Sequence, residues 1–215
     1  MEVLPLGRDD VFEKVVSAIE AGGVVAIPTD TVYGLIADAA NEEAIQKIFE
    51  LKKRSPEKAL GIFVSSIPML EEYAQMPPEY YDGLSKLWPG PITAILKSKN
   101  ILPAILHQKT PNIGVRIPDN AFLLEVIRRI GRPLVQTSAN VSDEPVLTTA
   151  ADIARVFDMQ NSLQYIIDVG EPIDTIQSIA VDFTVAPPRI LRSGPFIKTE
   201  LEEVFQTKFE SAMNG

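Results

Sequence analysis

Gly23-Val24-Val25-Ala26-Ile27 runs directly into Pro28-Thr29-Asp30-Thr31-Val32-Tyr33-Gly34, and this join decides the fold. The apolar run, rich in β-branched side chains, reads as a buried strand, and the hydroxyls and carboxylate after it read as a turn. The same shape recurs. Pro91-Ile92-Thr93-Ala94-Ile95-Leu96, Ile113-Gly114-Val115-Arg116-Ile117-Pro118, Pro133-Leu134-Val135-Gln136-Thr137-Ser138-Ala139-Asn140 and Ser178-Ile179-Ala180-Val181-Asp182 repeat it with different polar ends. Strands that finish together at one edge of a twisted sheet gather such ends into a crevice, where open α/β sheets bind ligands. A functional crevice is therefore expected at a sheet edge.

Composition narrows the classes. With 215 residues, 46% of them hydrophobic, the chain can bury a substantial core as one domain. We expect that domain to span 1–215, with a core at about 8–198 and a C-terminal helix or tail at 199–215. The net charge of −9 argues against a broad nucleic-acid face, which needs a surplus of Lys and Arg. Without cysteine, disulfides, thiolate catalysis and cysteine-ligated metals are excluded. No signal-type N-terminus or long apolar run is present, so a cytoplasmic protein with no membrane partner is expected.

Outward from the opening strand, residues 9–21 read as an amphipathic helix stopped by Gly22-Gly23. Asn41 is placed to cap a second helix that ends in Lys52-Lys53-Arg54. A short strand at 60–64, helices at 67–74 and 79–87, and a strand at 92–97 follow, then a loop over 98–112. Beyond it come a strand at 113–117, a helix at 120–130 closed by Gly131, and a strand at 133–137. A helix at 149–157 and strands at 165–169, 178–184 and 189–192 complete the body, with a tail helix running from Thr199 through Phe209. Some neighbouring strands are joined too briefly for a parallel crossover, which predicts a twisted mixed sheet with flanking helices in the α/β class.

Cations concentrated in an acidic chain need a reason. Lys52, Lys53, Arg54 and Lys58 suit either a phosphate site or a helix C-terminus, where the macrodipole favours positive charge. Arg116 lies inside an apolar strand, so its guanidinium needs an anionic partner, either a structural Asp or Glu or a ligand. Thr137-Ser138-Ala139-Asn140 offers hydroxyls, an amide and free backbone N–H groups where a strand becomes a loop. Neither a Walker loop nor Gly-x-Gly-x-x-Gly occurs. His107 in the 98–112 loop reads as structural or solvated, and Asp30, Asp38 and Asp182 read as turn and strand-end residues. No metal site is expected.

Taken in order, Pro-Thr-Asp-Thr-Val-Tyr-Gly-Leu from Pro28, Lys52-x-Arg54, Trp88-Pro-Gly-Pro-Ile-Thr93, Gly114-Val-Arg-Ile-Pro118, Thr137-Ser-Ala-Asn140 and Arg192-x-Gly194 form one series. In this series the chain closely resembles the YrdC/TsaC family of threonylcarbamoyl-AMP synthases. The resemblance implies a YrdC-like fold with a concave electropositive pocket. It further implies an enzyme that joins ATP, L-threonine and bicarbonate into threonylcarbamoyl-AMP and pyrophosphate, for tRNA threonylcarbamoyladenosine modification. Lys52 and Arg54 would act in catalysis and, with Lys58, hold the triphosphate, while Ser138, Asn140 and Arg192 complete the nucleotide site. Arg116 would clamp the threonine carboxylate, with Thr31, Tyr33, Thr137 and Ser178 around the amino acid. Mg²⁺ would arrive with ATP. Other proteins of the tRNA threonylcarbamoyl-transfer machinery would be partners, with direct RNA binding weak or absent.

The chain departs from the family pattern at Ser55-Pro56-Glu57-Lys58, at Asp143 where glycine is usual, and at Ile179-Ala180 after Ser178. An added carboxylate near phosphates is unfavourable unless it faces solvent or Mg²⁺. The additional C-terminal domain of longer relatives is not expected here, so any lid is expected from the chain's own loops. Two other readings stay open: a YrdC-like nucleotide- or RNA-binding protein without synthase activity, and a carbamoyltransferase-like relative.

Overall fold

Among the described residues, 1–107, 110–158 and 160–211, the computed structural model holds twelve strands in one mixed sheet. They are β1 (Glu2–Pro5), β2 (Val24–Ile27), β3 (Gly34–Ile36), β4 (Gly61–Phe63), β5 (Ala74–Gln75), β6 (Ile92–Ser98), β7 (Asn112–Arg116), β8 (Leu134–Ser138), β9 (Leu163–Asp168), β10 (Ile179–Asp182), β11 (Arg189–Arg192) and β12 (Glu210–Ser211). The order across the sheet is β1-β9-β2-β3-β8-β4-β7-β6-β10-β11-β12, with β5 beside β6. Parallel pairs such as β2/β9, β4/β7 and β6/β10 mix with antiparallel pairs such as β2/β3, β4/β8 and β6/β7.

Helices α1 (Val11–Glu20), α2 (Glu42–Lys52), α3 (Ile67–Tyr73), α4 (Tyr81–Leu87), α5 (Ala121–Ile130), α6 (Ala150–Val156) and α7 (Lys198–Phe205) flank it. Several ends follow directly from local chemistry. Asn41, Asn120 and Thr149 each accept a hydrogen bond from a first-turn backbone N–H, at 3.1, 2.9 and 3.1 Å. Gly131 closes α5 in the left-handed region at φ 69°.

The helices divide the molecule into layers. On one face, α1 and α5 pack over β1, β9, β2 and β3 through Val15, Ile19, Leu123, Ile127, Val25 and Ile167. On the other, the larger core joins α2, α3, α4, α6 and α7 to the inward residues Ile62, Ala94, Val115 and Val135. Side chains alternate along a strand, so Gly61, Thr93, Gly114 and Gln136 point the opposite way. They emerge on the α1/α5 face, beyond the part those helices cover, and there they line a cavity. The cavity thus sits over one face of the sheet, not at the expected edge. Its floor comes from these strand positions, and the strand ends at Arg116, Ser138 and Arg192 line the cavity as expected.

Five elements differ from the sequence reading, which places no strand at β1, β3, β5 or β12 and runs the tail helix on through Phe209. Strand β1 has only Val3 and Leu4 as apolar residues, and β3 is three residues that begin at the end of the stretch read as a turn; both are too short to show a period. The tail helix stops at Phe205, where Gln206 takes φ 51°. The chain then turns back, and Phe209 enters the core just ahead of β12. Leu201, Phe205 and Phe209 all belong to the larger core, which therefore continues past residue 198. Gln108 and Lys109 of the expected 98–112 loop, and residues 212–215 of the tail, lie outside the described residues.

The tail is tightly seated. Phe205 meets the rings of Tyr80, Phe183 and Phe209 with centroids 6.2, 5.1 and 5.5 Å away. A Cβ on Gly83 of α4 would fall 2.3 Å from its ring, so α7 rests on bare backbone. Phe205→Ala should lower the unfolding free energy by about 3 kcal/mol or more, the scale of an emptied aromatic site. Urea denaturation checks this, and a loss below about 1 kcal/mol would show the tail to be peripheral.

Candidate active site

The cavity has a volume of about 470 Å³. Of the eleven predicted site residues, Thr31, Lys52, Arg54, Arg116, Thr137, Ser138, Asn140, Ser178 and Arg192 line it. Tyr33 and Lys58 do not. Tyr33 is buried in the larger core and only its carbonyl serves the site's framework, accepting from Ala139 N at 2.7 Å; burial pushes its hydroxyl pKa up. As part of a β3-flanking turn, its ring follows the strand's alternation into the core. Lys58 stands at the mouth, paired with Asp143 at 2.6 Å.

Lys52, the last residue of α2, is 1% exposed. Its ammonium donates to Ser138 O, to Asn140 O at 2.7 Å and to Asn140 Oδ1 at 3.1 Å. The basic helix end therefore shapes the Ser138–Asn140 loop from within, whereas a solvated helix terminus would leave it free. Burial first, and the Arg54 charge second, push its pKa down to about 7. An uncharged amine would have only two N–H groups for these three oxygens, of which Ser138 O and Asn140 Oδ1 also accept from Asn140 N and Ser138 Oγ. Arg54 donates to the carbonyls of Lys58 and Ala59 at 2.9 and 2.6 Å.

Arg116 answers the question its burial raised. The guanidinium, 2% exposed, pairs with Asp30 at 2.6 Å and donates to Gly90 O and Thr31 Oγ1, each at 3.0 Å. Burial lowers its pKa, and Asp30 offsets part of that. Thr31 is held in turn by Thr29 Oγ1 at 3.1 Å. Asp38 and Asp182 serve turns, accepting from Ala40 N and Thr184 N, each at 2.8 Å. His107 is buried, and its carbonyl accepts from Thr110 N at 2.9 Å.

Two floor residues escaped the sequence reading. Gln136 Nε2 donates to Thr93 Oγ1 at 3.0 Å, Thr93 Oγ1 lies 2.9 Å from Ser178 Oγ, and Arg192 donates to Ser178 Oγ at 2.9 Å and Ser178 O at 3.0 Å. This polar strap crosses the floor from β8 to β11. Gln136 reaches β6 over β4 and β7, where Gly61 and Gly114 stand side by side. A Cβ on Gly61 would lie 3.0 Å from Gln136 Oε1 and 2.9 Å from Gly114 O. The only available signal was polar Thr93 and Gln136 at alternate positions of apolar strands.

The cavity's charges are uneven. Lys52, Arg54, Arg116 and Arg192 face two lining carboxylates, Asp143 and Glu144. Among the described residues, Lys52, Arg54 and Arg192 make no ion pair. Burial lowers the pKa of Arg54 and of Arg192, and in Arg192 the charge of Arg116 adds to it. Among the described residues no group of three or more His, Cys, Asp or Glu could hold a metal ion, and no helix is long and apolar enough to cross a membrane.

A mixed α/β sheet with a cation-lined hollow on one face is the class these features define. The chain belongs to the Sua5/YciO/YrdC family: the family model, described as "Telomere recombination", matches residues 17–194. Threonylcarbamoyl-AMP synthase of Pyrococcus abyssi is 37% identical over 187 residues, covering 86% of this chain and 54% of that protein. The solved structure of P. abyssi Sua5 complexed with L-threonine superposes with a TM-score of 0.88 at 32% identity, over 98% of this chain and 62% of that one. E. coli YciO shares the fold, with a TM-score of 0.82 at 20% identity over 95% of this chain and 98% of that one. This chain thus spans little more than half the length of its P. abyssi relative.

The lowered Lys52 value has a measurable consequence. Between pH 7 and 10 the unfolded chain holds more protons at this residue than the folded one, so its contribution to stability rises with pH. Relative to Lys52→Met, the unmutated protein should gain about 2 kcal/mol between pH 7 and 9 in chemical denaturation. Parallel stability curves for the two proteins would show the lysine to be unshifted.

Proposed function

We propose that this chain is an L-threonylcarbamoyladenylate synthase, forming threonylcarbamoyl-AMP and pyrophosphate from ATP, L-threonine and bicarbonate. The observation that carries the reading is three cations, the buried Lys52, the half-buried Arg54 and the more exposed Arg192, which make no ion pair among the described residues and line one cavity of a chain whose relatives are named for this reaction. Such cations favour an anionic ligand. A cavity of about 470 Å³ falls in the range of small-molecule sites.

The chemistry asks for positioning and charge neutralisation. Threonine's amine attacks bicarbonate, water leaves, and a carbamate forms. A carbamate oxygen then attacks the α-phosphorus of ATP, and its bond to the bridging oxygen breaks as pyrophosphate departs. No protein nucleophile is consumed, and fixed cations that meet the charge developing on the phosphates lower the barrier. Lys52 and Arg54 take that part, with Lys58 at the outer phosphates and Ser138, Asn140 and Arg192 around the nucleotide. Mg²⁺ enters as part of the ATP substrate.

Arg116, Thr31, Thr137 and Ser178 form the amino-acid end. Because Asp30 already neutralises Arg116, the unpaired charge next to that end is that of Arg192, which is bonded to Ser178. The product would pass in the cytoplasm to the proteins that transfer the threonylcarbamoyl group to tRNA.

Purified protein incubated with ATP, bicarbonate and each of threonine, serine and valine tests the reading, with pyrophosphate and the adenylate measured by mass. Pyrophosphate release should require both threonine and bicarbonate. Valine should be rejected more strongly than serine, since an unpaired buried polar group costs more than a lost methyl contact. ATP binding without release would instead favour a nucleotide-binding protein. Arg54→Ala should lower turnover at least a hundredfold, the order reported for loss of one preorganised charge donor, with an unchanged circular-dichroism spectrum. Near-normal turnover would remove Arg54 from the phosphate site.

A further inference from the structure

Asp143 and Lys58 lie 85 residues apart in sequence and meet at the mouth of the cavity, Lys58 Nζ donating to both carboxylate oxygens at 2.6 and 2.7 Å. Asp143 lines the cavity and its side chain is 79% exposed. Its backbone takes φ 69°, a left-handed conformation that Asp, Asn and Gly tolerate best. The Lys58 hydrogen bond and charge, with a smaller contribution from Arg54, hold its carboxyl below the usual carboxylate range. Arg54 also grips the carbonyls of Lys58 and Ala59, so the two cations of this loop are held together with the carboxylate beside them.

Building on the nucleotide site argued above, we propose that Asp143 sets the affinity of this site for polyphosphates. In the ligand-free protein its carboxylate takes the place at Lys58 that the outer phosphates of ATP, or pyrophosphate, would occupy. A polyphosphate has to displace it, and pyrophosphate leaves as the carboxylate returns. A ligand with one phosphate fills the cations that line the cavity first and leaves the mouth alone. Asp143 therefore weakens ATP and pyrophosphate without weakening AMP. An exposed ion pair is a small interaction, which sets a modest scale for the effect.

Calorimetric titration of pyrophosphate, ATP and AMP in the presence of Mg²⁺, into the unmutated protein, Asp143→Asn and Asp143→Gly, tests this. Both substitutions suit φ 69°, so the loop is retained. Pyrophosphate and ATP should bind about three- to fivefold more tightly to both variants, with AMP unchanged. Weaker ATP and pyrophosphate binding would make Asp143 a ligand for the accompanying Mg²⁺ and overturn the proposal. Unchanged affinities, or equal tightening of AMP, would overturn it while leaving the nucleotide site intact. If neither ATP nor AMP bound any of the three proteins, the nucleotide reading itself would fall, and this inference with it.

Discussion

Burying positive charge without a carboxylate to meet it is the constraint around which this molecule is organised. Lys52 sits at the end of α2 with its ammonium surrounded by oxygens of Ser138 and Asn140. Those dipoles satisfy its hydrogens and leave its charge uncompensated. Arg54, half-buried, and Arg192, more exposed on β11, are likewise bonded to neutral oxygens. Desolvation of an ion costs several kcal/mol even after relaxation. The two apolar cores that hold α1, α5 and α2 against the sheet supply the rigidity that keeps these groups from swinging into solvent.

The floor shows how that rigidity becomes a shape. Gln136 spans β4 and β7 only because Gly61 and Gly114 present no side chains there. The strap it begins, through Thr93 and Ser178 to Arg192, ties the two sides of the cavity together. Ser178 is held by both its side chain and its carbonyl, and Ile179 beside it is buried in the core. The departure at Ile179 therefore falls on a packing position, and the departure at Ala180 falls on the cavity wall.

Most of the fold was legible because its elements are bounded by strong local chemistry. Asn41, Asn120, Thr149 and Gly131 mark helix ends through backbone geometry that needs no tertiary partner. Strands β1 and β3 were invisible because a few residues carry no period, and they exist through pairing with β9, β2 and β8. The site was legible in its charged residues, whose presence inside apolar runs had to be explained, and less so in geometry. Sequence order suggested strand ends meeting at an edge, whereas residue alternation placed the cavity over a face. Tyr33 illustrates the limit: its neighbours in the motif line the cavity, but its own ring faces the core. The partner of Arg116 was left open between a ligand and an internal carboxylate, since a chain shows that a charge needs company without showing whose.

That partner gives the cavity a polarity suited to the proposed reaction. Asp30 neutralises Arg116, so the guanidinium fixed beside Thr31 adds little net charge of its own, and Arg192, bonded to Ser178, is the unpaired cation nearest to it. Among the described residues Lys52 and Arg54 make no ion pair, and the carboxylate of Asp143 at the mouth is taken up by Lys58. A zwitterionic amino acid brings no net charge and asks for none, while a triphosphate brings several negative charges and asks for many. One uniformly positive basin would draw phosphate to both ends and leave the amine of threonine next to like charge. By pairing Arg116 internally while Lys52, Arg54 and Arg192 make no ion pair among the described residues, the fold would distinguish the two proposed substrates before either makes a specific contact.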